Sequence, residues 1–262
     1  MCRTGAFYPE LRDGGSVAAD ATPMERALVD LVRRAHDAPA LLTPADLDPL
    51  RAIAGDDALD YLLVLCAFHF ITRIADLLAV PPEVLPPALR RVEVVRRIGV
   101  RMTGLLLRRM DLANRPDRAS FDDARARVEA LLGRPLGEAL EPLRARPKVI
   151  ESIALALEER DRASSLDRAT LARVHRTVEA SLPRSAEDAD GFHPRPTEPV
   201  DGFAFVGTRY AQRTTPEAIA ALRRAGYDDL GILDLAIAVA DANQWARMFR
   251  LAGLPPSLFL LA

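Results

Sequence analysis

Four side chains that can do chemistry lie on one face of an apolar stretch. Cys66, His69 and Arg73 are spaced by three and four residues, and Asp76 follows three residues later. At 100° per residue of an α-helix, the first three lie within about 60° and Asp76 widens the arc to about 80°. In this pattern His69 can act as a general acid or base, or activate the Cys66 thiol as a nucleophile. Arg73 can hold a substrate carboxylate through two hydrogen bonds.

A second polar face occurs near the end of the sequence, at Asn243 and Arg247. If the two helices face each other, Arg73 and Arg247 converge with His69 and Asn243 on one cleft that suits a small anionic ligand. We therefore expect His69 and Cys66 to be catalytic, and Arg73, Asn243 and Arg247 to bind the substrate.

The same residues also allow a structural interpretation. A lone cysteine in a buried helix often serves as a small hydrophobic residue. Arg73 and Arg247 occur at matching places in the two helices, which fits an arginine that pairs with a neighbouring helix. An imidazole on this face needs a partner under either interpretation, so His69 does not distinguish them.

Other candidate sites are weaker. His175 and Glu179 are four residues apart but have no third ligand nearby, so the sequence predicts a solvated pair and no metal site. The segment 90–118 has nine arginines against three acids, a local net charge of +6, which could bind an anionic partner or pair with another subunit. There is no glycine-rich phosphate loop or nucleophile elbow, and we expect no cofactor.

The elements that must position these residues are predicted to be helices. A serine or threonine precedes four of these segments and is expected to be the N-cap residue: Thr22, Thr43, Ser120 and Thr215. The helix over 57–79 is apolar nearly all round and is expected to be buried. The remaining predicted helices are 22–38, 43–53, 83–113 (one or two helices), 120–132, 136–145, 148–161, 166–181, 203–213, 216–225 and 229–252.

Composition narrows the possible classes of protein. The chain has 262 residues, 49% hydrophobic and 27% charged, with a net charge of −2 and 5% aromatics, which argues against nucleic-acid binding. The apolar run 59–80 contains four polar or charged groups, so we expect no membrane span. Two cysteines and no apolar stretch at the start favour a cytoplasmic protein. Residues 1–20 are expected to be a disordered tail, and 183–202 a linker rich in proline and acids.

Two parts of the sequence share an order of elements. A Thr-Pro-capped short helix, a tight turn, a long apolar helix with one arginine and a Pro-Pro pair occur at 43–82 and again at 215–256. This order predicts an all-α fold in which two related helical units, 21–140 and 141–262, pack as one domain.

The repeated stretches resemble the alkylhydroperoxidase D-like, or carboxymuconolactone decarboxylase, superfamily, and are closest to its two-repeat, peroxidase-related members. The resemblance covers about two-thirds of the chain. It implies an all-helical, homo-oligomeric protein. Its matching motifs are Phe68-His69-Phe70-Ile71-Thr72-Arg73 and Ala242-Asn243-Gln244-Trp245-Ala246-Arg247, the latter followed by Gly253-Leu254.

Redox members of that superfamily carry Cys-x-x-Cys-x-x-x-His on the long helix, where one thiolate attacks peroxide and the second cysteine resolves the product. The positions that match this motif are occupied here by Val64, Ala67 and Ile71, and in the second unit by Ala238, Asp241 and Trp245. The resemblance thus implies a member without dithiol peroxidase chemistry.

Two functions follow as expectations. The first is an enzyme of this type that acts on a small, anionic organic molecule. The alternative is a non-catalytic member that serves as a binding or assembly scaffold. A cavity lined by Cys66 and His69 would favour the first, whereas Arg73 and Asp76 held in a packed interface would favour the second.

Overall fold

The protein is described by a computed structural model that covers residues 21–78, 120–183, 196–255 and 258. These residues form α-helices joined by loops and short 3-10 turns, with no strand among them, so the predicted all-α class is confirmed. In chain order the helices are α1 (Pro23–Asp37), α2 (Asp48–Ala54), α3 (Ala58–Leu77), α4 (Phe121–Leu132), α5 (Pro147–Ala163), α6 (Arg168–Ser181), α7 (Pro199–Arg209), α8 (Pro216–Arg224) and α9 (Asp229–Ala252).

The predicted caps stand at the starts of their helical segments. The Thr22 side chain accepts a hydrogen bond from the backbone N–H of Glu25, whose carboxylate accepts one from the Thr22 backbone N–H at 2.8 Å. Ser120 and Thr215 cap α4 and α8 through their hydroxyl oxygens, and Thr43 begins a 3-10 turn ahead of α2. These local bonds satisfy N–H groups that a helix start leaves without a partner.

Two predicted elements differ from the observed ones. Residues 136–145 form turns rather than a helix, because Gly137 adopts a left-handed φ of 57° and only a 3-10 turn, Glu141–Leu143, follows it. Helix α7 begins at Pro199 rather than at 203, so its first turn takes the end of the predicted linker. The helix predicted over 83–113, the arginine-rich 90–118 segment and the 1–20 tail lie outside the described residues.

The apolar core consists of two clusters that the long helix α9 joins. The first contains the N-terminal part of α3, the helices α4 and α5, and the C-terminal part of α9. The second contains Leu77 at the end of α3, together with residues of α6, α7, α8 and the N-terminal part of α9. Helices α3 and α9 therefore pack against each other in antiparallel directions.

One face of α3 is exposed, so the expectation of a helix buried all round is wrong. Its exposed large side chains are Tyr61, Val64, Phe68 and Ile71, which follow one another at helical spacing. The opposite side, with Leu59, Leu62 and Cys66, packs into the core. By length and composition the stretch 44–77 could cross a membrane, but a helix packed in the core of a soluble protein passes the same test.

Helix α7 approaches the α3–α9 pair closely at Gly207. A Cβ atom at this position would lie 2.7 Å from Cγ1 of Val239 and 2.9 Å from Cδ2 of Leu77. Only glycine permits this approach, and it brings the backbone carbonyls of α7 within reach of polar side chains on α3.

Candidate functional site

Hydrogen bonds link four of the five sequence-predicted site residues where α3, α7 and α9 come together: His69, Arg73, Asn243 and Arg247. Arg73 of α3 donates to the Gly207 carbonyl and, at 3.0 Å, to the Thr208 carbonyl of α7. Asn243 of α9 donates to the Thr208 hydroxyl at 3.1 Å. Both predicted polar faces therefore reach the same turn of α7, as the antiparallel packing of α3 and α9 requires.

His69 and Arg73 contact each other one helical turn apart. The Arg73 Nη2 atom lies 2.9 Å from Nε2 of His69. A guanidinium can only donate, so Nε2 must accept and the proton of the neutral ring lies on Nδ1. This Nδ1 atom is buried and has no hydrogen-bond partner among the described residues. The cluster thus holds a shielded N–H donor with no acceptor.

The electrostatics around His69 keep the ring neutral. Burial lowers its pKa well below the ordinary value, and the positive charges of Arg73, Arg247 and His36 lower the pKa further. These three cationic groups come from α3, α9 and α1, respectively. Protonation of the ring is therefore opposed from three helices.

Arg247 and Asn243 form the buried floor of the site. Arg247 is 4% exposed and donates to the Ala35 carbonyl at 3.0 Å through Nε. Its Nη1 atom donates to both the backbone oxygen and the Oδ1 atom of Asn243, at 2.9 and 3.0 Å. The Asn243 amide group also donates to the Val239 carbonyl. The carbonyl oxygens of Ala35 and Asn243 and the Asn243 amide oxygen thus accept hydrogen bonds from the buried Arg247 guanidinium, which gives Arg247 a structural role.

Cys66 is 6% exposed and belongs to the same core cluster as Trp245 and Phe249. Its thiol donates to the Gln244 carbonyl over 3.9 Å. Burial raises the pKa of this thiol to about 12, and Arg247 only partly opposes the shift. A thiol in this environment stays protonated near neutral pH, which opposes the predicted role as a nucleophile.

The remaining candidates lie outside this cluster. Asp76 is exposed at the end of α3; partial desolvation of its carboxyl raises its pKa, and the charge of Arg73 acts in the opposite direction.

The solvated pair predicted for His175 and Glu179 is wrong. His175 is buried with a pKa lowered to about 4, mainly by burial, and Glu179 accepts a two-pronged hydrogen bond from Arg250 at 2.6 and 3.2 Å.

Two further residues of the region have no sequence signal that identifies them. The Thr208 hydroxyl links α7 to Asn243. The Asp241 carboxylate accepts hydrogen bonds from Trp245 Nε1 at 2.7 Å and from Gln244 at 3.0 Å. Burial raises the pKa of Asp241 to about 6, and these two hydrogen bonds restrain the shift. The spacing of Asp241 and Trp245 by four residues is helical, but such pairs are common in the sequence.

The described residues contain no group of three His, Cys, Asp or Glu side chains that could hold a metal ion. No protein-family model, no curated protein and no solved structure matches this chain.

Proposed function

We propose that this protein binds a small organic anion at the junction of α3, α7 and α9, without thiol redox chemistry. The observation that carries the proposal is the cluster around His69: Arg73 lies 2.9 Å from its Nε2 atom, and its buried Nδ1 atom has no hydrogen-bond partner among the described residues. The positive charges of Arg73, Arg247 and His36 also lower its pKa. An anion that enters this region gains favourable Coulomb energy with each group, and guanidinium groups match the geometry of a carboxylate.

The exposure of the cluster supports access for such a ligand. His36 is exposed and both His69 and Arg73 are only partly buried, whereas Arg247 and Asn243 are buried. A carboxylate would meet Arg73 and His69 first, with its apolar part toward the surrounding hydrophobic side chains. Small-molecule sites commonly combine an apolar wall with a few convergent polar groups.

The experiment is a calorimetric titration of the full chain with acetate and benzoate at low ionic strength. We expect saturable binding, weakened at least tenfold by Arg73→Met, which removes the charge but keeps most of the side-chain length. Arg51→Met is the matched control, because Arg51 pairs with Asp48 at the surface, and we expect unchanged affinity. Absence of binding to the folded wild type, or equal loss in both variants, would overturn the proposal.

We also propose that the chain is a two-unit relative of the alkylhydroperoxidase D-like superfamily. The order of elements supports this proposal: α2 leads through Gly55 (φ 57°) to α3, and α8 leads through Gly226 (φ 96°) to α9. A crystal structure in which residues 43–77 superpose on 215–252 along their whole length would support the repeat, and different helix crossings in the two units would refute it.

A second candidate function is assembly, which the exposed face of α3 favours. Between Tyr61 and Thr72 every exposed residue of this helix is uncharged, and Phe68 is 50% exposed. Such a face can meet its own copy without like-charge repulsion, so its proposed partner is a second copy of this chain.

Light scattering after size exclusion tests the assembly candidate. We expect a homo-oligomer that Phe68→Asp dissociates. Leu155→Asp on α5 is the matched control, since Leu155 is also 50% exposed, and it should leave the mass unchanged. A wild-type protein that is monomeric at high micromolar concentration would rule this candidate out.

A further inference from the structure

We infer that His69 serves as a fixed, neutral hydrogen-bond donor through its Nδ1–H group, and that the ligand it receives is an oxyanion of the carboxylate class. The inference rests on the proposed anion site and deepens it, because it assigns the atom that the ligand must contact and the chemical group the ligand must present.

The tautomer of His69 follows from its neighbour. Arg73 Nη2 can only donate a hydrogen bond, so the Nε2 atom of His69, 2.9 Å away, must accept it through its lone pair. The single proton of the neutral ring is then on Nδ1. Protonation of Nε2 would place two donors against each other and break the contact with Arg73.

The Nδ1–H group then lacks an acceptor. Its nitrogen is buried and has no partner among the described residues. A buried donor without an acceptor is unfavourable, since the hydrogen bond it made to water in the unfolded chain is lost. A ligand oxygen is the natural acceptor, and its negative charge is compatible with the cations of α3, α9 and α1. A ligand that needs a hydrogen-bond acceptor from the protein would find none at this atom.

This assignment has a chemical consequence. Neither ring nitrogen has a free lone pair, because Nε2 is engaged by Arg73 and Nδ1 is protonated. His69 therefore cannot act as a general base in this arrangement, and it orients the ligand instead. At neutral pH the ring stays uncharged, since burial and the charges of Arg73 on α3, Arg247 on α9 and His36 on α1 all lower its pKa. Among the described residues, α7 presents the Gly207 and Thr208 carbonyls to Arg73.

The first test needs no ligand. Long-range ¹H–¹⁵N spectra of the imidazole rings, with His69 assigned by its loss in His69→Gln, should show a protonated Nδ1 and an unprotonated Nε2 from pH 6.5 to 8. A ring with the proton on Nε2, or one that titrates within this range, would overturn the inference and leave the proposed anion site standing.

The second test uses two isosteric variants with benzoate as the probe. The amide nitrogen of asparagine can occupy the position of Nδ1, whereas that of glutamine reaches the position of Nε2. We expect His69→Asn to bind benzoate within about threefold of wild type, and His69→Gln to bind about 10- to 100-fold more weakly, the value of one hydrogen bond to a charged group. Equal affinity of the two variants would overturn the donor role. If the wild-type protein does not bind benzoate at all, the proposed function itself is overturned.

Discussion

Replacing Asn243 with alanine should destabilise the protein clearly more than replacing its neighbour Gln244 with alanine. Asn243 is fully buried and its amide group joins α9 to α7 through Thr208, while its Oδ1 atom accepts from the Arg247 guanidinium. The substitution removes both contacts and leaves a void the size of an amide group between the helices.

The expected magnitude follows from what each partner retains. Arg247 keeps the backbone oxygens of Asn243 and Ala35, and the Thr208 hydroxyl keeps its bond to the Ala204 carbonyl. The principal loss is one hydrogen bond to a charged group, about 1.5–3 kcal/mol, plus about 1 kcal/mol for the neutral one. The better helix propensity of alanine returns roughly 0.5 kcal/mol. We therefore expect a net loss of about 2–3.5 kcal/mol.

Urea unfolding followed by circular dichroism measures this loss. Gln244→Ala is the control, because Gln244 is adjacent and donates one partly exposed bond to Asp241, so its truncation should cost about 1 kcal/mol or less. A loss in Asn243→Ala no larger than that of the control would refute the view that this amide holds the junction together.

Three further outcomes are expected. In a Cys2→Ser background, iodoacetamide should leave Cys66 unmodified in the folded protein up to pH 9 and modify it on unfolding; rapid reaction of the folded protein would contradict its burial. The Asp241 carboxyl has a folded pKa near 6, against an ordinary 3.8, so its ionisation lowers the free energy of unfolding as pH rises from about 4 to 6. Asp241→Asn should therefore stabilise the protein by an amount that grows over that window and then levels off; a difference between variant and wild type that is independent of pH would refute this. Gly207→Ala should destabilise the protein by about 1–3 kcal/mol, reduced by the better helix propensity of alanine. Val239→Ala removes one of the atoms that the new methyl group would meet, so in a double-mutant cycle it should offset part of this loss; additive effects would contradict the close approach of α7.

The helices could be predicted because their signals are local. Thr22, Ser120 and Thr215 cap helices through atoms within three residues, and α9 was expected over the same residues that it occupies. The errors arise where one local preference overrides another. Apolar periodicity favoured a helix over 136–145, but Gly137 takes a left-handed conformation there and the chain turns instead.

The sequence predicts the part of the candidate site that α3 and α9 contribute, but not the part that α7 contributes. Helical spacing placed His69 and Arg73 on one face, and antiparallel packing brought Asn243 and Arg247 to them. The contribution of α7 to the site cannot be predicted from the sequence, because Gly207 and Thr208 contact Arg73 through backbone carbonyls, which every residue has. The exposure of Phe68 was also missed, since an apolar composition does not say which side of a helix its neighbours cover.

The position of a bound carboxylate tests the central claim most directly. A crystal structure of the full chain soaked with 4-bromobenzoate would locate the ligand by the anomalous signal of bromine. We expect a carboxylate oxygen within hydrogen-bond distance of His69 Nδ1, with Arg73 still donating to Nε2. Bromine found only on the exposed face of α3, or a carboxylate that contacts neither His69 nor Arg73, would contradict the proposed anion site.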